Sequence, residues 1–186
     1  MLNLFYSSFP SPFDTFTLVW KELTNSGIQL QRIFLSDSEV NSKLKALESF
    51  QEIEVGSSSQ INIFGEKIQH FFKGEEVEFN LERLDFKKCS KTQKKVLLAE
   101  YAIPRGWIST YKRIAENIGL SNGARVVGNA LAKNPFPIFI PCHRAIKSNG
   151  ELGGFQGGIK MKRTLLEMEG IEFSDKGKVI TDKVFY

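Results

Sequence analysis

A thiol, an imidazole and a guanidinium stand side by side at Cys142-His143-Arg144, after Pro141 and the apolar, proline-punctuated run Asn134-Pro135-Phe136-Pro137-Ile138-Phe139-Ile140. Such a run carries a cysteine into a buried or half-buried place. A free thiol titrates near ~8.5, so little of it is thiolate at neutral pH, and a neighbouring base or cation raises that fraction. The local chemistry reads as an activated sulfur nucleophile. Adjacency alone does not decide the matter, because most buried thiols are inert packing.

The chain that must position these groups has 186 residues, enough for one large domain or two small ones. Its hydrophobic fraction of 41% suits an ordinary globular core, to which most of its 16 phenylalanines should belong. No apolar run approaches the ~20 residues of a membrane span, and the first residues lack the pattern of a secretory signal. Two cysteines, Cys89 and Cys142, make no disulfide framework, so a reduced, cytoplasmic setting (nuclear in a eukaryote) is expected. Charge is uneven: residues 1–80 carry 6 Lys and Arg against 11 Asp and Glu, and residues 81–186 carry 19 against 10. A basic back half points to a polyanionic partner, although the lysines at 87, 88, 91, 94 and 95 also fit a solvated helix surface.

The fold class expected is α+β, with a small N-terminal α/β domain over 1–85 built on an antiparallel sheet and a mostly helical C-terminal domain over 86–186. Residues 2–7, 15–22 and 27–35 read as strands separated by Ser/Pro and Asn25-Ser26-Gly27 turns. Val40, Leu44, Leu47 and Phe50 make a helical stripe over 39–50, and Ile61, Phe64, Ile68, Phe71 and Phe72 make another over 60–72, stopped by Gly74. Helices follow over about 91–101 (Ser90 as N-cap), 111–118, 124–133 (Ser121 or Asn122 as cap) and 159–168, the last ended by Gly170. The pair flanking Gly119–Gly123 has helix-turn-helix spacing. Its second helix is small and apolar, with only Arg125 and Asn129 long and polar near its start, which favours DNA binding without base reading, in the minor groove where Arg is favoured.

Five motifs then fall in order: Arg105-Gly106-Trp107-Ile108-Ser109-Thr110-Tyr111, Gly123-Ala124-Arg125-Val126-Val127-Gly128-Asn129-Ala130, the Asn134–Arg144 run, Gly153-Gly154-Phe155-Gln156-Gly157-Gly158, and Leu165-Leu166-Glu167-Met168-Glu169-Gly170. In this order and spacing, over roughly residues 91–170, the chain resembles the O6-alkylguanine-DNA alkyltransferases. The resemblance implies single-turnover DNA repair, in which Cys142 takes an alkyl group, irreversibly, from O6 of a guanine swung out of duplex DNA. It implies His143 as base through a water, Glu169 as its orienting acid, Tyr111 as proton donor to the leaving guanine, and Asn134 as brace of the cysteine loop. Arg125 would fill the vacated stack, with Ala124, Gly128 and Lys133 also on the DNA. Pro137, Ala145, Phe155, Gln156 and Lys162 would surround the substrate, with Arg144 mainly structural. The family often has Tyr and Ser where Phe155 and Gln156 stand, which leaves the preferred alkyl group open. The partner implied is double-stranded DNA carrying O6-alkylguanine, met by a monomer, with cooperative loading open.

No cofactor or metal is expected: Cys89, His70, Cys142 and His143 fit no common zinc spacing, and a metal would consume the nucleophile. Three rivals stand beside this reading. A cysteine hydrolase would need His70, the sole histidine distant from the thiol. A non-catalytic binder of alkylated DNA would not need Cys142. A sequence-specific regulator would need a better-equipped second helix.

Overall fold

The computed structural model describes residues 3–24 and 27–186, so the expected strand start at Leu2 and the Asn25-Ser26 turn lie outside the described residues. The chain divides into two compact units. Unit 1 is Met1–Asp85 with Pro135–Phe139, and unit 2 is Phe86–Asn134 with Ile140–Tyr186.

Unit 1 is built on strands β1 (Leu4–Ser11), β2 (Asp14–Leu23) and β3 (Gly27–Leu35), helix α1 (Ser42–Ser49), the short strand β4 (Ile53–Val55) and helix α2 (Ser59–Phe72). The sheet order is β3-β2-β1-β4. The three long strands pair antiparallel as expected, whereas β4, which the sequence reading missed, adds to the edge parallel to β1. Three residues are too few for a periodic signal, which is why Ile53–Val55 passed as loop. The β2 segment Phe16–Trp20 is buried on both faces. Phe16 meets Phe72 of α2 edge-on, while Val19 joins Phe34 and Ala46 in a cluster under α1.

The α1 stripe is corrected here. Leu44 and Leu47 are exposed, at 54% and 39%, and Ser42 and Ala46 face the sheet instead. The cause is polar: the Ser42 hydroxyl lies 2.9 Å from those of both Thr15 and Thr17, so the sheet beneath α1 offers hydroxyls that only a small polar residue can meet.

Unit 2 carries helices α3 (Lys91–Tyr101), α4 (Tyr111–Asn117), α5 (Ala124–Ala132) and α6 (Gly158–Met168), with the two-residue strands β5 (Ser109–Thr110) and β6 (Ala145–Ile146) between them and β7 (Glu172–Phe173) and β8 (Val179–Ile180) at the end. Ser90 caps α3 as expected, accepting from Gln93 N at 3.1 Å. The α5 cap differs: Gly123 occupies it with no side-chain bond, since Asn122 sits at φ 56°, a turn residue rather than an extended cap. Helices α4 and α5 pack on each other, and α3 packs on both. Ile108, Ile146, Leu166 and Ile171 form the core beneath β5 and β6.

The parallel pairing of β5 with β6 matters most for chemistry. It sets Ser109 opposite Ala145 and Thr110 opposite Ile146. Tyr111, next after β5, thereby stands at the end of the pair where Lys147 follows β6, and it still feels the charge of Cys142, which precedes β6. Thr110 also caps α4, its hydroxyl accepting from Arg113 N at 3.2 Å. Thr110→Ala should therefore lower stability by about 1 kcal/mol, the usual worth of such a cap, as measured by urea unfolding.

Candidate active site

Cys142 begins a single 3-10 turn, Cys142–Arg144, introduced by Pro141. The turn is tied at both ends, Cys142 N donating to Ile140 O at 2.7 Å and Arg144 N to Pro141 O at 2.8 Å. Asn134, just past the end of α5, donates from Nδ2 to Ile140 O at 3.1 Å and is also hydrogen-bonded to the Cys142 side chain. One amide thus braces the backbone before the thiol and the thiol itself.

His143 is fully buried and its Nε2 lies 3.0 Å from Glu169 Oε1. Glu169 also accepts from Arg144, Nε to Oε2 and Nη2 to Oε1, both at 2.8 Å, and from Gly106 N at 3.3 Å. Burial pushes the Glu169 carboxyl upward, but His143 and Arg144 outweigh it and hold it well below the usual carboxylate range. A carboxylate can only accept, so Nε2 carries the imidazole hydrogen and Nδ1 is left to take a proton. Burial drives the His143 pKa down over the upward pull of Glu169, so the ring rests neutral and able to act as a base.

Lys162 is fully buried on α6 and donates to Ala145 O at 2.6 Å, with its ammonium 3.5 Å from Tyr111 Oη. Tyr111 and Gly153 are matched: a Cβ on Gly153 would lie 2.0 Å from the phenol oxygen, so only glycine leaves room for that hydroxyl. Burial, then the charges of Glu100 and Cys142, push the phenol up to about 12, which keeps it a donor.

The resting sulfur departs from expectation. Cys142 is 6% exposed, and burial pushes its thiol up to about 11 against the downward pulls of Asn134 and Lys162. Adjacency to His143 and Arg144 does not activate it, because both are committed to Glu169. The thiol rests protonated.

Beside this cluster, Tyr111, Arg125, Gly128, Asn129 and Gly153 help line a cleft of about 510 Å³. Cys142 is not among its lining residues; Tyr111 both lines the cleft and feels the charge on the sulfur. Ala124 lines the cleft as well, and Arg125 is exposed on the first turn of α5. Gly128 adds no bulk to the cleft wall and faces open space, and Lys133 is exposed at the end of α5. Phe155 lies edge-on to the His143 ring, centroids 6.3 Å apart, and Gln156 beside it is half-buried. Ala145 is fully buried between the Lys162 bond and β5. Pro137 is buried within the part of the chain that belongs to unit 1.

His70, the base a hydrolase would need, belongs to unit 1, where it is half exposed and bonded to Glu75 at 2.7 Å. Neither cysteine is in a disulfide, and among the described residues no group of three or more His, Cys, Asp or Glu could hold a metal ion. Arg144, expected to be mainly structural, makes a two-pronged clamp on Glu169. One buried acid carries no sequence signal: Glu100, on α3, had no motif to mark it.

Residues 91–171 match the family of the 6-O-methylguanine DNA methyltransferase DNA-binding domain. The methylated-DNA–protein-cysteine methyltransferase of Methanothermobacter thermautotrophicus is 48% identical over 106 residues, which are 57% of this chain and 59% of that protein. The protein of the same name from Saccharolobus islandicus is 39% identical over 117 residues, covering 63% of this chain and 74% of its own length. The structure of Mycobacterium tuberculosis OGT in complex with DNA superposes with a TM-score of 0.69 at 33% identity, over 89% of this chain and 93% of that one.

Because its thiol is held up at about 11, Cys142 should react slowly with iodoacetamide at neutral pH, about tenfold faster for each pH unit up to pH 10. Peptide mass analysis in a Cys89→Ser background reads this, and a rate that levels off near pH 8 would show a thiolate already formed at rest.

Proposed function

Since the chain belongs to the methylated-DNA–protein-cysteine methyltransferase family, we propose that it repairs DNA by moving an alkyl group from O6 of a damaged guanine onto the sulfur of Cys142. The observation that carries this reading is the arrangement around the thiol: a neutral histidine backed by an ionised carboxylate, and a half-buried phenol that feels the sulfur's charge and lines a cleft on a helix-turn-helix.

Each group has a task that its environment suits. Nδ1 of His143 takes the thiol proton through a bridging water, as adjacent side chains diverge too far for a direct bond. The charge that appears on the imidazole is compensated by Glu169, which is already ionised. The sulfur attacks the alkyl carbon, the carbon–oxygen bond breaks, and the electron pair goes to the guanine ring. Tyr111 supplies the proton that makes guanine a neutral leaving group. The product is a thioether, which water does not cleave, so each molecule acts once.

O6 lies on a base edge inside the duplex, so the nucleotide must leave the stack at a cost of roughly a few kcal/mol. Arg125 enters the gap, where a guanidinium can both hydrogen-bond the orphaned base and stack; its exposure on the first turn of α5 supports this role. Ala124 and Gly128 keep the α5 face low enough for backbone to approach the minor groove, and Lys133 adds a phosphate contact at the far end. Gln156 and Phe155, beside His143, bear on which alkyl groups are accepted. One copy holds every group the reaction needs, so the protein acts as a monomer. A reaction that consumes a thiol calls for a reducing compartment, the cytoplasm or, in a eukaryote, the nucleus.

Incubation with duplex containing O6-methylguanine should add one methylene to the intact mass, localised to Cys142, and Cys142→Ala should abolish the gain while DNA affinity persists. Transfer by the alanine variant would refute the assignment. Arg125→Ala should slow transfer from duplex about tenfold, its rate on the base O6-benzylguanine staying unchanged, because only the duplex requires extrusion. Equal loss on both substrates would remove Arg125 from that role.

A further inference from the structure

The mechanism above leaves one buried acid unused. Glu100, on α3, is 0% exposed, and neither carboxyl oxygen has a hydrogen-bond partner at full geometry among the described residues. An ionised carboxylate in that position is costly unless cations face it. The groups that face Glu100 are the Lys162 ammonium on α6, the Arg144 guanidinium and the backbone N–H of Ala145, and its charge is felt in turn by Tyr111, Cys142 and Tyr186. Arg144 is already clamped to Glu169. Lys162 is not: its protein bonds are the carbonyl of the same Ala145 at 2.6 Å and the long contact to Tyr111 Oη at 3.5 Å. Lys162 thus links the Ala145 carbonyl to Tyr111, and the Glu100 carboxyl, hydrogen-bonded to neither Lys162 nor Tyr111, lies near enough for its charge to act on both, while His143 and Glu169 serve the thiol proton.

We propose that Glu100 is a positioning residue of the alkyl transfer that acts through Lys162, returning to Tyr111 the proton that the phenol gives to the departing guanine. The proposal rests on the repair reading above. The steps balance. The phenol O–H bond breaks as the proton moves to guanine; the phenolate takes a proton from the Lys162 ammonium; the neutral amine takes one, through a bridging water, from the Glu100 carboxyl, which is left ionised. The thiol proton meanwhile sits on His143, so the site holds the same net charge before and after, and solvent later resets both groups.

The environment suits this role. Burial raises Glu100 to about 8 and lowers Lys162 to about 8, so near neutral pH the carboxyl keeps its proton and the ammonium keeps its charge. Above that pH the carboxyl is empty and cannot resupply the phenol. Without a source of this kind, a phenol pushed up to about 12 is a reluctant acid.

The test uses two electrophiles that differ only in what their leaving group needs: guanine must be protonated, and iodide need not be. In a Cys89→Ser background at pH 7, Glu100→Gln and Glu100→Leu are compared with the parent for single-turnover transfer from O6-methylguanine duplex and for Cys142 alkylation by iodoacetamide. Leucine suits a fully buried site and guards against a glutamine variant that misfolds. Both variants should transfer from duplex about tenfold more slowly, with alkylation by iodoacetamide unchanged. The parent's transfer rate should fall as pH rises through 8, the variants should lose that limb, and Glu100→Asp should restore part of the rate. Equal loss on both electrophiles would assign Glu100 to the sulfur or to packing, and no loss on either would make it a bystander; each result overturns the relay. Absence of transfer by the parent would instead refute the functional reading beneath it.

Discussion

A carboxylate taken out of water has to be met by donors, and the way Glu169 meets that demand organises the site. It accepts two bonds from Arg144, one from His143 and one from the Gly106 backbone. Removing one partner of such a buried cluster leaves charge uncompensated, which costs about 3–5 kcal/mol and holds the arrangement rigid. The sequence provides for it locally. Gly170 takes φ 82° and ends α6 with Gly170 N bonded to Glu167 O and Ile171 N to Leu166 O, a glycine-terminated helix end that turns Glu169 inward instead of letting it run on into solvent. The 3-10 turn delivers His143 and Arg144 together to the same acid. Orientation of the imidazole and its tautomer follow from that one carboxylate, and its neutral resting state follows from burial, which outweighs the carboxylate's pull.

The price of this order is a quiet thiol. His143 and Arg144 spend their hydrogen bonds on Glu169, and burial then dominates the sulfur, pushing it up to about 11. For a protein whose reaction consumes it, an unreactive resting state is an advantage: a thiolate exposed to every electrophile in the cell would be lost without repairing anything. Base, acid and phenol are in place, and the arrival of a guanine in the cleft, with its O6 substituent at the sulfur, makes deprotonation worthwhile.

Much of this was legible in the residues. The thiol, its histidine, the two ends of the helix-turn-helix and the glycines around 153–158 announce themselves by type and spacing, and the strands of unit 1 by period and branching. What the sequence hid has physical causes. Leu44 and Leu47 looked like a core stripe because apolar periodicity says nothing about the hydroxyls of Thr15 and Thr17 waiting on the sheet. Asn122 looked like a cap because side-chain type does not reveal a left-handed backbone. Glu100 carried no mark on a lysine-rich helix, because burial of an ionisable group is a property of the packed state.

Read together, the buried ions divide into two systems on either side of one sulfur. On one side, a permanently ionised Glu169 with Arg144 makes a fixed field that favours an imidazolium once the thiol gives up its proton. On the other, Glu100 and Lys162 are not clamped by an opposite charge, and burial raises the first and lowers the second, which extends the carboxyl's hold on its proton into the neutral range. Alkyl transfer needs both kinds of site at once: a place that accepts a positive charge without moving, and a place that hands a proton on and changes state. A single buried carboxylate with full hydrogen bonding cannot do the second, and one without partners cannot do the first. The chain separates the two tasks by giving one acid three side-chain donor bonds and the other none.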